Sequence, residues 1–426
     1  MSIDWAKKNI CFIANEIIDD EKLDEKKLRK KIEPWLTAVF QSEHLSLLLG
    51  SGLTTAICNI IPKEERESVR GMQRLPFDSD YEFIQKYADD SAKDLDRGEA
   101  NIEDDIRISN EYLKGLLIKN DSDGSAEKLK QFLDEQLNSF ANGILKNEEI
   151  VNSSSSREKA LGVLRQFLIS FSSRTATRDR LHVFTTNYDR FIECALDEAG
   201  IYTIDRFVGK IRPIMRMHKL ELDYHYNPPG IRGEPRYIEG VVRYTKIHGS
   251  IDWKLDGKNI VRDAIPFGVN HSFQNSHDSL MIYPNSSKGI ETVFFPYSEL
   301  FRDFSTAICR PNSVLVTYGY GFGDSHVNRI IKDMMTILST HLVIISYDKA
   351  GGRIEKFLED CNPSQLTLLI GEKFGDISAL VANYLPKAAI DRITDRKNAL
   401  LERRSVTENE KIPTENTTDD KEKAEG

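Results

Sequence analysis

An α/β fold, with a parallel sheet covered by helices on both faces, is predicted by three features of this 426-residue chain. Short apolar runs recur at Ser313–Gly319, His341–Tyr347 and Leu366–Ile370, the pattern of strands buried on both sides. A helix-like stretch, Val327–Leu338, separates the first two. Near the N-terminus, His44–Leu49 passes through Gly50-Ser51-Gly52-Leu53-Thr54-Thr55 into an apolar helix-like run ending at Ile61, giving strand, glycine-rich turn, helix.

The remaining elements follow from periodicity. Residues 1–40, with Ile10, Ile13 and Ile17 at helical spacing, are expected to form an N-terminal helical arm. The main domain is expected over 41–390. Within it, 81–150 is helical and strongly charged, marked by Phe83, Ile84 and Tyr87, then Tyr112, Leu113, Leu116 and Leu117, then Leu129, Phe132, Leu133 and Leu137. This is read as a helical insert. The serine run 153–156 signals a loop or helix start, and Leu161–Phe171 resumes a helix that leads to the strand Leu181–Phe184. Pro213, Pro228, Pro229, Gly230 and Pro235 mark an irregular small region at about 200–240, and Val241–Ile247 returns to strand. From 397 to 426 the chain is charge-rich with almost no apolar residues, and disorder is expected there. Strands alternating with helices make the fold class a Rossmann-like parallel sheet with a helical insert.

A net charge of -9 argues against nonspecific capture of nucleic acid, so any such contact is expected to come through a partner. The five cysteines are scattered with no C-x-x-C, which supports neither a thiolate zinc site nor a disulfide framework; no zinc is expected. No stretch approaches the ~20 apolar residues of a membrane span and the first residues lack a signal-peptide core, so a cytoplasmic protein without direct membrane contact is expected.

Four motifs carry chemistry. Gly50-Ser51-Gly52 lets the backbone approach a pyrophosphate at a helix N-terminus, although a tight turn explains the same residues. Thr185-Thr186-Asn187-Tyr188-Asp189 puts an amide and a carboxylate at a strand's carboxyl end, where open α/β sheets bind ligands; a turn with a helix cap is the competing reading. An amide there can orient a water or ribose hydroxyl. Lys246-Ile247-His248-Gly249-Ser250 places an imidazole at a strand end, able to take a proton from a hydroxyl or water, or simply a packed histidine. Gly319-Tyr320-Gly321-Phe322-Gly323-Asp324-Ser325-His326-Val327-Asn328 again runs from strand to glycine-rich turn, with Asp324 or Ser325 able to cap the next helix.

In this order the motifs resemble the sirtuin-like superfamily, and more closely the sirtuin-like domains of bacterial antiphage defence systems. Gly50, Ser51 and Gly52 match its Gly-Ala-Gly-x-Ser segment, Thr185 to Asp189 its Thr-Gln-Asn-x-Asp segment, and His248-Gly249 its His-Gly; the Gly323-Asp324-x-His326-x-Asn328 signature is typical of the defence branch. The resemblance implies an NAD hydrolase that releases nicotinamide and ADP-ribose. It implies Asn187 and His248 as catalytic, with Gly50, Ser51, Gly52, Thr54, Thr186, Asp189, Gly319, Gly323 and Asp324 around the NAD, and Ser346 or Asp348 near its adenosine. It implies defence by NAD depletion, control through a homo-oligomer or a HerA-like hexameric DNA-translocating ATPase, and the helical arm and insert as assembly surfaces. Zinc-ribbon deacylases carry two C-x-x-C pairs after the His-Gly, whereas Ile251-Asp252-Trp253-Lys254 follows here, which turns the expectation from deacylation to hydrolysis. A catalytically silent NAD or ADP-ribose sensor is the alternative; a nuclease subunit lacks clustered carboxylates.

Overall fold

The computed structural model describes residues 3–18, 24–66, 74–94, 100, 102–119, 124–174, 178–226, 236–269, 279–281 and 296–387; the charged tail, 397–426, lies outside the described residues. The strands are β1 (Ile10–Ile13), β2 (Glu16–Ile18), β3 (His44–Leu49), β4 (Leu181–Thr185), β5 (Tyr202–Ile204), β6 (Phe207–Val208), β7 (Ile214–Met215), β8 (His225–Tyr226), β9 (Arg236–Tyr237), β10 (Val241–Lys246), β11 (Gly249–Asp256), β12 (Asn259–Arg262), β13 (Ser279–Met281), β14 (Ser313–Tyr318), β15 (His341–Ser346) and β16 (Leu366–Ile370). The longer helices are α1 (Glu25–Phe40), α2 (Ser51–Ile60), α3 (Glu82–Asp94), α4 (Ile102–Ile118), α5 (Ser125–Ser153), α6 (Arg157–Ser172), α7 (Phe191–Glu198), α8 (Tyr297–Ile308), α9 (Ser325–Met335) and α10 (Arg353–Leu358).

Among the described residues the main sheet has the order β2-β1-β16-β15-β14-β3-β4-β10-β5. From β16 to β5 every pairing is parallel. Leu47, Leu48, Val316, Ile344 and Leu368 are fully buried, as strands covered by helices on both faces must be. The α/β class read from the apolar runs is therefore the one observed.

The N-terminal arm differs from expectation. Ile10, Ile13 and Ile17 sit at helical spacing, yet β1 and β2 form a hairpin that adds antiparallel to β16. Ala14 and Asn15, both with positive φ, make the two-residue turn such a hairpin favours. The open edge of β16 rewards strand pairing, and the helix starts only at α1. There Asp24 Oδ1 accepts from the Lys27 amide at 2.8 Å, and Leu28, Ile32, Leu36 and Phe40 fall on one buried face.

Helices α3, α4 and α5 occupy the span read as a helical insert and share a core of Leu75, Ile84, Ala88, Ile106, Leu129 and Leu133. Helix α5 has 29 residues, about 44 Å at ~1.5 Å per residue. Its first half belongs to that core, while Ala141 and Leu145 pack with Tyr188 and Ile251 of the main domain. The span 200–240 holds short strands. Two of them join a second sheet, β13-β11-β12-β7-β6, whose other strands follow His248 and were not foreseen. No helix among the described residues is long and apolar enough to cross a membrane.

Candidate functional site

Strand β3 lies between β4 on one side and β14 on the other, so the chain fills one half of the sheet through β4 and β10 before returning through β14, β15 and β16. A reversal of this kind opens a crevice at the carboxyl ends of the strands. Three sequence-predicted motifs end strands there: Gly50-Ser51-Gly52 after β3, Thr185 to Asp189 at β4, and the Gly319 loop after β14. His248 follows β10, the next strand out.

Two of these loops are in direct contact. The Gly50 amide donates to the Tyr318 carbonyl at 3.1 Å and the Gly52 amide to the Gly319 carbonyl at 2.9 Å. A Cβ at Gly52 would stand 2.6 Å from Gly319 Cα, and one at Gly50 2.6 Å from Gly319 O. Gly319 itself has φ +60. These glycines are thus required by backbone crossing backbone, whatever ligand the loop meets. Ser51, between the two glycines, is exposed.

The turn after β4 is fixed by its own hydrogen bonds. Thr185 Oγ1 donates to Leu49 O at 2.9 Å and accepts from the Asn187 amide at 3.0 Å, while the Thr186 amide donates to Leu49 O at 3.2 Å. Asn187 Nδ2 donates to Gly50 O at 3.0 Å and to Thr54 Oγ1 at 3.1 Å. With both amide hydrogens committed, the polar atom Asn187 presents is its carbonyl oxygen, an acceptor. Thr54 Oγ1 in turn donates to Asp189 Oδ2 at 2.5 Å, and Asp189 Oδ1 accepts from the Phe191 amide at 3.4 Å. Buried Asp189 is therefore spent on joining α2 to α7 as well as standing in the motif.

His248, 4% exposed, has Nε2 2.8 Å from Asp324 Oδ2. Its ring lies 6.4 Å from that of Tyr188 and 6.2 Å from that of Phe301. The other oxygen of Asp324 caps α9, accepting from the amides of His326 at 3.0 Å and Val327 at 3.2 Å. The Asp324 loop is braced: Tyr320 OH donates to Asn328 Oδ1 at 2.9 Å, Asn328 Nδ2 to Phe322 O at 2.9 Å, and Arg353 Nε to Gly321 O at 2.7 Å. Those bonds hold Phe322 at φ 52, a conformation bulky residues rarely adopt. The site as a whole is an amide oxygen and a carboxylate-backed imidazole, on turns tied to one another, at a sheet crevice.

Residues 181–364 match the family model described as SIR2-like domain. This stretch is sirtuin-like. The sirtuin-like stretch contains the Asn187 turn, His248 and the Gly319 to Asn328 loop, while the β3 loop and the insert precede it. The search of curated proteins returns no match. Among the described residues no group of three His, Cys, Asp or Glu side chains is placed to hold a metal ion.

Of the remaining predicted residues, Gly323 lies in the Asp324 loop. Ser346 is buried at the end of β15, where its carbonyl accepts from the Gly371 amide at 2.9 Å. Asp348 is exposed and accepts from the Ala350 amide at 2.7 Å, closing a turn. The structure brings Gly50, Gly52, Thr54, Thr186, Asn187, Asp189 and Gly319 into one cluster and joins His248 to Asp324.

Several supports of the sirtuin-like site were not read from the sequence. Lys246 is almost wholly buried, and its ammonium donates to the carbonyls of Tyr188 at 3.2 Å and Asp189 at 2.5 Å and to Glu193 Oε1 at 3.0 Å. Above Lys246, burial and the Glu193 carboxylate push the Tyr244 phenol well above its ordinary range. Arg190, next to Asp189, pairs with fully buried Glu148 of the insert helix. A signal for Glu148 existed: it stands three residues after Leu145 and seven after Ala141, on the buried face of α5.

Proposed function

We propose that the chain is an NAD hydrolase that breaks the bond between nicotinamide and ribose, giving nicotinamide, ADP-ribose and a proton. The observation that carries this reading is the pairing of an acceptor-only amide, Asn187, with an imidazole backed by Asp324 on neighbouring strands of a sirtuin-like crevice. Nicotinamide leaves as a neutral ring and takes the bonding electron pair, so its departure needs no acid; the demand falls on the positively charged ribose left behind. The Asn187 oxygen accepts a hydrogen bond from a ribose hydroxyl or from the incoming water. Water adds its oxygen to the anomeric carbon, and His248 removes the proton, with Asp324 favouring the imidazolium that results. In this reading Ser51 and the loops around Gly52 and Gly319 would hold the pyrophosphate.

The biological setting follows from the sequence resemblance alone: defence against phage by NAD depletion, restrained through a homo-oligomer or a HerA-like ATPase. Incubating the purified chain with NAD, alone and with that ATPase, while following nicotinamide tests the chemistry. Release of nicotinamide and ADP-ribose with no added acyl-lysine peptide is expected. Release only when such a peptide is present would return the chain to deacylation, and NAD binding with no release under any condition would make it a sensor.

A further inference from the structure

The turn that carries Asn187 is gripped from outside the sirtuin-like stretch. Glu148, on α5 and 0% exposed, accepts from the Arg190 amide at 2.8 Å, from Arg190 Nε at 3.2 Å and from Nη2 at 2.5 Å. Arg190 also donates to the carbonyls of Ile265 and Pro266, so one guanidinium joins the insert, the turn and the segment after β12. Two positions earlier, Tyr188 packs with Ala141 and Leu145 of α5, and its ring meets that of Phe140 edge-on at 6.0 Å. Asn187 directly precedes Tyr188, so α5 holds the turn at the first and third residues after the reacting amide.

A buried ion pair is poorly explained by stability, because the cost of removing two charges from water offsets most of their attraction. It does fix geometry: a bidentate guanidinium-carboxylate pair tolerates one arrangement of its two backbones. Similar apolar side chains would pack α5 against the turn without that directionality.

We infer that Glu148, supplied by the helical insert, is the positioning residue for Asn187, and that the insert governs turnover through it. The inference rests on the proposed hydrolysis and deepens it by naming the element that controls the site. Since the first half of α5 lies in the core of the insert, a shift of the insert reaches the turn along a continuous helix.

The test uses the full chain in two variants. Glu148→Gln keeps one acceptor for Arg190. Glu148→Met with Arg190→Met replaces the pair by apolar groups of similar length, a change that folds tolerate well. In both, kcat for nicotinamide release is expected to fall about 100-fold, the scale of a misplaced reacting group, while KM for NAD stays within about threefold. Hydrogen exchange of the amides in 185–191 is expected to quicken in the double variant while that of β14 is unchanged. Wild-type kcat together with wild-type exchange in the folded double variant would overturn the inference. Asn187→Ala and wild type, assayed alongside, separate the two levels: no release by wild type means the hydrolysis reading has failed, wild-type release by Asn187→Ala removes Asn187 from the chemistry, and in either case the exchange result still decides whether Glu148 holds the turn.

Discussion

Nε2 of His248 lies 2.8 Å from Oδ2 of Asp324, linking the turn after β10 to the residue that caps α9. One carboxylate thus has two tasks, orienting an imidazole and satisfying a helix N-terminus, and a single substitution separates them. Asparagine caps helices about as well as aspartate but carries no charge. Asp324→Asn is expected to leave the melting temperature nearly unchanged and to lower kcat for nicotinamide release by about 100-fold, the lower end for a positioned acid-base group. Equal loss of stability and activity would assign Asp324 to the fold alone.

The contact between the β3 and β14 loops predicts opposite results at two glycines. Gly52→Ala puts a methyl group 2.6 Å from Gly319 Cα, where only backbone could yield. A loss of about 2 kcal/mol or more is expected from denaturant unfolding. Gly115, inside α4, has nothing within 4 Å of the added carbon. Gly115→Ala is therefore expected to gain about 0.5–1 kcal/mol, the helix-propensity difference.

These glycines show where sequence and structure part. Strand-turn-helix order located the loops because hydrophobic period and glycine punctuation are local signals, and β3 and β16 run over the residues the apolar runs marked. The reason for Gly52 was not local: it lies in a residue 267 positions away, Gly319, that only the completed sheet brings near. Glu148 and Lys246 were missed for the same cause, since a charged residue in a charged helix or at the end of a strand reads as solvent-facing until its partner is known. The β1-β2 hairpin was mistaken for helix because Ile10, Ile13 and Ile17 recur at helical spacing while β1, buried at all four positions, shows no strand alternation, and the edge of β16 that it pairs with is also distant in sequence.

Lys246 gives a stability prediction. Its buried ammonium meets Glu193 and two carbonyls, so Lys246→Met strands a carboxylate and both acceptors. Removing one partner of such a pair is expected to cost about 3 kcal/mol in urea unfolding. Adding Glu193→Leu should recover a large part of that loss; an unchanged or larger loss in the double variant would show that the two groups do not act as a pair.

Acid sensitivity follows from two buried imidazoles. Burial pushes His341 down to about 4 and His182 well below its ordinary value. Both are neutral in the folded chain and gain a proton on unfolding below about pH 6.5. Their contribution to stability is thus complete above about pH 6.5 and lost as pH falls toward 4. Glu148 and Asp303, raised by burial, act with the opposite sign as pH rises. The comparison of wild type with His341→Gln isolates the histidine: the variant is expected to lose less stability between pH 6.5 and 4, and parallel curves would contradict the assignment.

Asn187 and His248 are together proposed to break the bond between nicotinamide and ribose. That joint role is tested most directly by single-turnover nicotinamide release from saturating NAD, comparing wild type with Asn187→Ala and His248→Ala. Release by wild type and a fall of at least about 100-fold in each variant, with NAD still bound, are expected. Release at the wild-type rate by either variant would contradict that role.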